Sequence, residues 1–320
     1  MRDKAQTFEA DHHKIRNPPW VKAWAIFQAE MSELHSSPGN CRMLAMPLST
    51  DAVLPLSLIG RGELGRHGRA DSAQRRRLER DLAAAAASGG FVLHYQPRVA
   101  LQNGRHAGAE AGISWLRRRH GLVSAAAFLP LAEGAGLTAE IGGWMLKAAC
   151  LEAASWPSGT VSLSVSPQQL GGHALAQQLG DALELSALPP ERVELAFAEP
   201  TLMEVDADTL LLLSSIRDLG CGLAVDDFGA SIGSTAMLRR LPLTGLKLTR
   251  ALVRSVARDG EAAAFARAMI DAGHALGLAL TADGIETDAQ RSFLARAGCE
   301  HGQGILFGQR LNASALRAAM

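Results

Sequence analysis

From Phe91 onward the chain alternates between short apolar runs and longer stretches with helical periodicity. The short runs are FVLHYQP, AGAEAGISW, VSLSVS, RVELAFAE, GLAVDDFG, GLKLTR, LALTADGIE and GQGILFGQ. Between them, helical patterns cover Phe128–Leu131, Gly142–Ala154, Ala174–Leu185, Ala207–Leu219, Glu261–Leu276 and Ala289–Ala297. Repeated strand–helix alternation predicts parallel βαβ units. Eight strands in roughly 225 residues match the size of a (β/α)8 barrel. A doubly wound open sheet is the alternative, but no GxGxxG follows any of these strands.

Upstream, the pattern is different. Residues 1–75 read as an irregular and helical N-terminal region with no assignable role. Trp20, Trp24 and Phe27 fall on one face of an amphipathic stretch from Trp20 to Leu34, suited to packing on the main domain or a partner. A segment rich in Pro, Gly and Ser follows from Ser37 to Gly68. The charged pattern from Ser72 to Ala87 breaks at Gly89-Gly90, which predicts a linker helix over 76–90 with Leu78 and Leu82 on one side. The barrel is assigned to 91–315.

Composition narrows the function. Lys+Arg and Asp+Glu are both 32 of 320 residues, so formal charge is zero. Nucleic-acid binding by bulk electrostatics is therefore not expected. No apolar stretch approaches the roughly 18 residues that span a bilayer, and no signal-peptide core follows Met1. Cys41, Cys150, Cys221 and Cys299 are scattered, as ordinary buried thiols would be. A cytoplasmic location without membrane partners is expected.

In such a barrel, chemistry gathers at the C-terminal ends of the strands. The predicted strand ends carry Gln96, Glu110, Ser164, Glu199, Asp226 with Asp227, Lys247, Asp283 with Glu286, and Gln303. Carboxylates collected at one mouth repel one another unless a cation offsets them, so the pattern suggests a divalent-metal or phosphate site. The run Arg117-Arg118-Arg119 reads as solvated surface.

These residues resemble the EAL domain, the bacterial family that hydrolyses cyclic di-GMP to the linear dinucleotide. The matching pieces, in order, are Tyr95-Gln96-Pro97, Glu110-Ala111-Gly112 for Glu-Ala-Leu, and Leu131-Ala132-Glu133. They continue with Ser166-Pro167-Gln168-Gln169-Leu170, Asp226-Asp227-Phe228-Gly229, Leu241-Pro242 ahead of Lys247, Asp283-Gly284-Ile285-Glu286, and Gln303-Gly304. The resemblance implies an α/β fold of modified TIM-type (β/α)8 barrel. It also implies a ligand site at Gln96, Glu110, Asp226, Asp227, Lys247, Glu286 and Gln303. Glu199 is implied to stabilise the loop after the Asp-Asp motif.

The sequence also departs from the family pattern. In hydrolysing members, two cations are held by the motif Glu, an Asn, a second Glu and the Asp pair. Here Glu110, Asp226 and Asp227 remain as a vestigial set, while Ser164 replaces the Asn and Ala196 the second Glu. Ser114 replaces a phosphate-gripping Arg, Thr249 an Asp, and Asp283 a Glu; the loop Ala230–Gly233 is altered as well. Glu194 lies one layer deeper than Ala196 on the same strand face.

Hard cations tolerate missing anionic ligands poorly. The expectation is therefore that the chain is not an enzyme and binds cyclic di-GMP as a receptor without cofactor. Two alternatives stand beside it: a nucleotide-free adaptor for a protein partner, and a weak phosphodiesterase using Mg or Mn. Homodimerisation is a further possibility carried by the resemblance.

Overall fold

The computed structural model describes residues 53–54, 68–117, 121–171, 174–203, 205–229 and 235–320. The stretch Trp20–Leu34, Cys41, Arg118, Arg119 and the loop 230–233 lie outside the described residues.

Among the described residues, ten strands form one sheet: β1 (Val53–Leu54), β2 (Phe91–Ala100), β3 (His106–Arg117), β4 (Gly121–Ser124), β5 (Thr160–Val165), β6 (Val193–Ala198), β7 (Gly222–Phe228), β8 (Gly245–Leu248), β9 (Ala279–Ala282) and β10 (His301–Gln303). Their order is β1-β4-β3-β2-β10-β9-β8-β7-β6-β5, and a β3–β5 pairing closes β2, β3 and β5–β10 into an eight-stranded barrel. The expected barrel is present, with one departure from βαβ regularity. β2 runs antiparallel to both β3 and β10. The five residues from Leu101 to Arg105 are too short for a crossover helix, so the first two strands form a hairpin. β4 extends the sheet outside the ring by pairing on the far end of β3, and β1 pairs on β4.

Strand alternation sorts the side chains. On β5–β9, Val161, Leu163, Val193, Leu195, Phe197, Leu223, Val225, Leu246, Leu248 and Leu280 are buried in one continuous apolar core. The intervening positions carry Ser162, Ser164, Glu194, Ala196, Ala224, Asp226, Lys247 and Thr281. The apolar set packs under the surrounding helices, and the polar and small set lines the barrel.

The helices start where the sequence supplies caps. Asp206 accepts the Thr209 N–H at 2.8 Å ahead of helix Ala207–Asp218, and Asp259 caps Gly260–Ala275. Thr287 and Gln290 form a capping box ahead of Asp288–Arg296.

The helix expected at 76–90 runs from Gly68 to Ser88. Leu82, Ala85 and Ala86 enter a second apolar cluster with Phe91, Ile113, Trp115 and Phe128, so this helix is packed against the outside of β2 and β3. Arg117 was expected in solvent; instead it pairs with Asp81 of that helix at 3.0 Å and lies over the Trp115 ring. Its side chain is 12% exposed, because the aromatic face and the carboxylate together hold the guanidinium down. Cys150, Cys221 and Cys299 are buried free thiols. Among the described residues no helix is long and apolar enough to cross a membrane.

Candidate functional site

Glu110 and Lys247 reach into the barrel mouth from β3 and β8. Lys247 Nζ donates to Glu110 Oε2 at 2.6 Å and lies 3.0 Å from Asp226 Oδ1 at the end of β7. Gln303 Nε2, from β10, donates to the same Glu110 oxygen at 2.6 Å and to Asp283 Oδ1 at 3.2 Å. Glu110, Asp226, Lys247, Asp283 and Gln303 therefore form one connected network drawn from β3, β7, β8 and β10 and the residue that follows β9.

The electrostatics of this network are uneven. Burial alone would push the Lys247 ammonium down, but the Glu110 and Asp226 carboxylates outweigh it and hold it above its ordinary range. Burial likewise favours a neutral Glu110, yet Lys247 and the Gln303 amide hold its carboxyl below the usual carboxylate range. Asp226 goes the other way: burial raises it, neighbouring Glu110 and Asp227 add to that, and Lys247 only partly offsets them. The shorter Lys247 contact and the extra amide donor go to Glu110, which accounts for the difference.

Asp227 is exposed, with a left-handed backbone at φ +53°, and its N–H donates to Asp226 Oδ1 at 2.9 Å. A non-glycine residue in that region is uncommon and tends to mark functional turns. Glu199 is fully buried directly after β6, and its Oε2 accepts the Gly229 N–H at 3.3 Å, which ties it to the loop after the Asp-Asp motif.

Gln96 has a different geometry. Its amide donates to the Gly308 carbonyl at 2.9 Å and to the Gly304 carbonyl at 3.4 Å, so it holds the turn after β10. Gly304 is required there: at φ +153° an added Cβ would stand 2.2 Å from the Ile285 carbonyl oxygen. Glu286 lies at the rim, half exposed, 3.6 Å from Arg254, and does not join the central network.

The substituted positions are in place. Ser164 on β5 pairs with Ala196 on β6, which pairs with Ala224 on β7. Ala196 is buried and adds only a methyl group to the lining. Glu194 is committed elsewhere, to Arg98 at 2.8 Å. Burial would raise its carboxyl, but Arg98 and Ser162 outweigh that and hold it low. Ser114 is buried on β3, and Thr249 is buried at the start of helix Arg250–Ser255.

Two divalent ions need several anionic oxygens within a few ångströms of each other. Lys247 occupies the space between Glu110 and Asp226, and Ala196 offers no oxygen. Among the described residues no group of three or more His, Cys, Asp and Glu is placed to hold a metal ion. The carboxylates that remain, Glu110, Asp226 and Asp227, make an incomplete two-ion set, with no oxygen supplied at position 196.

Sequence reasoning missed four nearby residues. Arg250 lies 3.3 Å from Asp283 and Arg254 faces Glu286, so both pair with rim acids. His94 and Arg310 meet at 3.3 Å beside Glu110. Burial, and then Arg310, push the His94 imidazole down to about 4, leaving it neutral near pH 7. No local motif marks these four; only the closed ring brings them to the mouth.

A family profile described as "EAL domain" matches residues 79–310, and the chain belongs to the EAL-domain family. It is 36% identical over 257 residues to "Bifunctional diguanylate cyclase/cyclic di-GMP phosphodiesterase MucR" of Pseudomonas aeruginosa, covering 78% of this chain and 37% of that protein. It is 34% identical over 248 residues to "Cyclic di-GMP phosphodiesterase NbdA" of the same organism, covering 76% and 32% respectively. The chain thus spans about a third of the length of these curated relatives. A solved structure described as "PaMucR Phosphodiesterase, c-di-GMP complex" superposes with a TM-score of 0.70 at 35% identity, covering 75% of this chain and 99% of that one.

These relatives correct one expectation. The chain was expected not to be an enzyme, on the strength of Ser114, Ser164, Ala196, Thr249 and Asp283. Relatives at 36% and 34% identity are named as phosphodiesterases, which points to an enzymatic EAL domain. Substituted ligands change how a site works; they do not by themselves establish that it is inactive.

Proposed function

We propose that the barrel mouth binds cyclic di-GMP and belongs to an enzyme of the phosphodiesterase class, opening the cyclic dinucleotide to its linear form. The observation that carries this reading is the Glu110–Lys247–Asp226 network with Gln303, set at the strand ends of a chain from the EAL family. Support for the ligand comes from the relative solved as a cyclic di-GMP complex.

The chain's own groups suit a phosphodiester. Lys247 is a fixed ammonium at the centre of the mouth, and the Gln303 amide orients Glu110 and Asp283 beside it. In this reading Asp226, whose carboxyl burial raises, takes a proton from water at the phosphorus, and Glu110 holds Lys247 in position. Binding draws on these groups without metal; Mg or Mn belongs to this reading only in turnover. With Ala196 in the lining, turnover is expected well below that of a barrel carrying a carboxylate there.

The test is product analysis. Purified protein is incubated with cyclic di-GMP in Mn²⁺, in Mg²⁺ and in EDTA, and the nucleotides are separated. Linear dinucleotide that accumulates with metal and is lost in Glu110→Ala is the expected result. Ligand recovered intact after prolonged incubation in both metals would overturn the cleavage.

A further inference from the structure

The mouth is rich in acids, yet a cyclic dinucleotide carries two phosphate charges. Among the described cations already placed there, Lys247 is shared by Glu110 and Asp226, Arg250 faces Asp283, and Arg254 faces Glu286. Arg310 is different. Its hydrogen-bond partner is the ring of His94, and among the described residues no carboxylate stands within salt-bridge distance of it.

Three features hold this guanidinium at the mouth. First, the chain around it is anchored on both sides: Gly308 by the Gln96 amide, and Leu311 by paired backbone hydrogen bonds of 2.8 Å with Tyr95. Second, an arginine only donates, so His94 Nε2 must accept, which fixes the imidazole proton on Nδ1. Third, the ring has room because residue 112 is glycine. A Cβ at Gly112 would fall 2.3 Å from His94 Nε2. Gly112 lies between Glu110 and Ser114 on one face of β3, opposite His94 in register. The charge of Arg310 is felt at Glu110, whose carboxyl it helps to hold down.

We propose that Arg310 is a phosphate-binding residue of the cyclic di-GMP site, held at the mouth by His94 in the space opened by Gly112. This rests on the ligand proposed above. A planar guanidinium free of carboxylate partners offers two parallel donors to a phosphate, a geometry that neither Ser114 nor Lys247 reproduces.

The experiment is calorimetric titration of cyclic di-GMP in EDTA with wild type, Arg310→Ala, Arg310→Lys and Gly112→Leu. Arg310→Ala is expected to bind about tenfold to a hundredfold more weakly, as for a lost hydrogen bond to a charged group. Its affinity should also fall less between low and high salt than that of wild type. Arg310→Lys should recover part of the loss. Gly112→Leu displaces the His94 ring and should weaken binding in the same direction. Arg310 is exposed, so melting temperatures of its variants should match wild type. Wild-type affinity in Arg310→Ala, with unchanged salt dependence, would overturn the inference. Absence of binding by wild type itself would overturn the ligand assignment beneath it, and the two failures are distinct.

Discussion

Lys247 donates to Glu110 across the barrel mouth at 2.6 Å, joining β8 to β3 through a contact between residues 137 apart in sequence. The same ammonium lies 3.0 Å from Asp226, so one cation restrains two carboxylates that would otherwise repel. Replacing it with a similar-sized apolar residue removes the charge and leaves the acids facing each other. Lys247→Met is expected to cost about 3–5 kcal/mol, the usual penalty for breaking a buried ion pair from one side. Chemical denaturation checks this, and a loss below about 1 kcal/mol would show that the pair is effectively solvated.

Acid stability follows from the same groups. Glu110 and Glu194 have carboxyls held below their ordinary range. Their contribution is complete above the unfolded carboxylate value of about 4.3 and is lost as pH falls through the lower folded values. Lys247 is held above its ordinary range, so its contribution is complete below about pH 10.4 and is lost at higher pH. Asp226 is raised and opposes the first two, softening the acid limb. Burial also keeps His94 neutral in the folded chain and pushes the Cys150, Cys221 and Cys299 thiols up, so stability falls below the unfolded imidazole value and above the unfolded thiol value. Melting temperature should therefore be flat only between about pH 6.5 and 8.5 and fall on either side. Glu194→Gln should lower the plateau and flatten the acid limb, because Arg98 loses its partner at every pH.

Ala196 stands where the lining lacks an oxygen, between Ser164 and Ala224. Ala196→Glu places a carboxylate beside the Asp226 end of β7. In metal-free buffer this should destabilise the protein by about 1–3 kcal/mol, and added Mg²⁺ should recover the loss. Turnover of cyclic di-GMP should rise at least about tenfold, for a gain of one good ligand on the transition state. Unchanged Mg²⁺ binding in the variant would show that position 196 does not limit the site.

Gln96 holds the turn that follows β10 and carries Arg310 at its far end. Gln96→Ala removes donors to two carbonyls, and should cost about 1–2 kcal/mol of stability. Cyclic di-GMP binding should weaken as well, even though the amide is engaged with the backbone. A variant that loses affinity with no loss of stability would instead show direct ligand contact.

The barrel was legible because β5–β9 alternate apolar and polar residues and the helices between them carry period and caps. Glu110, Asp226, Lys247 and Gln303 were legible from their positions at strand ends, and the structure brings these four together. Other features escaped for physical reasons. The β2–β3 hairpin depends on a connection too short for a helix, which apolar runs alone do not reveal. Arg98 and Glu194 are distant in sequence and meet only inside the closed ring. Arg117 looked like one of three surface arginines until Trp115 and Asp81 gave it a seat. His94 and Arg310 are 216 residues apart and become neighbours only when β10 returns beside β2. The inference from missing ligands to missing activity failed differently: it treated a list of substitutions as a rate, and relatives named as phosphodiesterases point the other way.

The most direct test of the central claim is calorimetric titration of the purified chain with cyclic di-GMP, first in EDTA and then in Mg²⁺. The account predicts saturable binding of the nucleotide in EDTA, strongly weakened by Lys247→Met in a variant still folded at the assay temperature. No binding heat in either buffer, from protein with an intact melting transition, would contradict it.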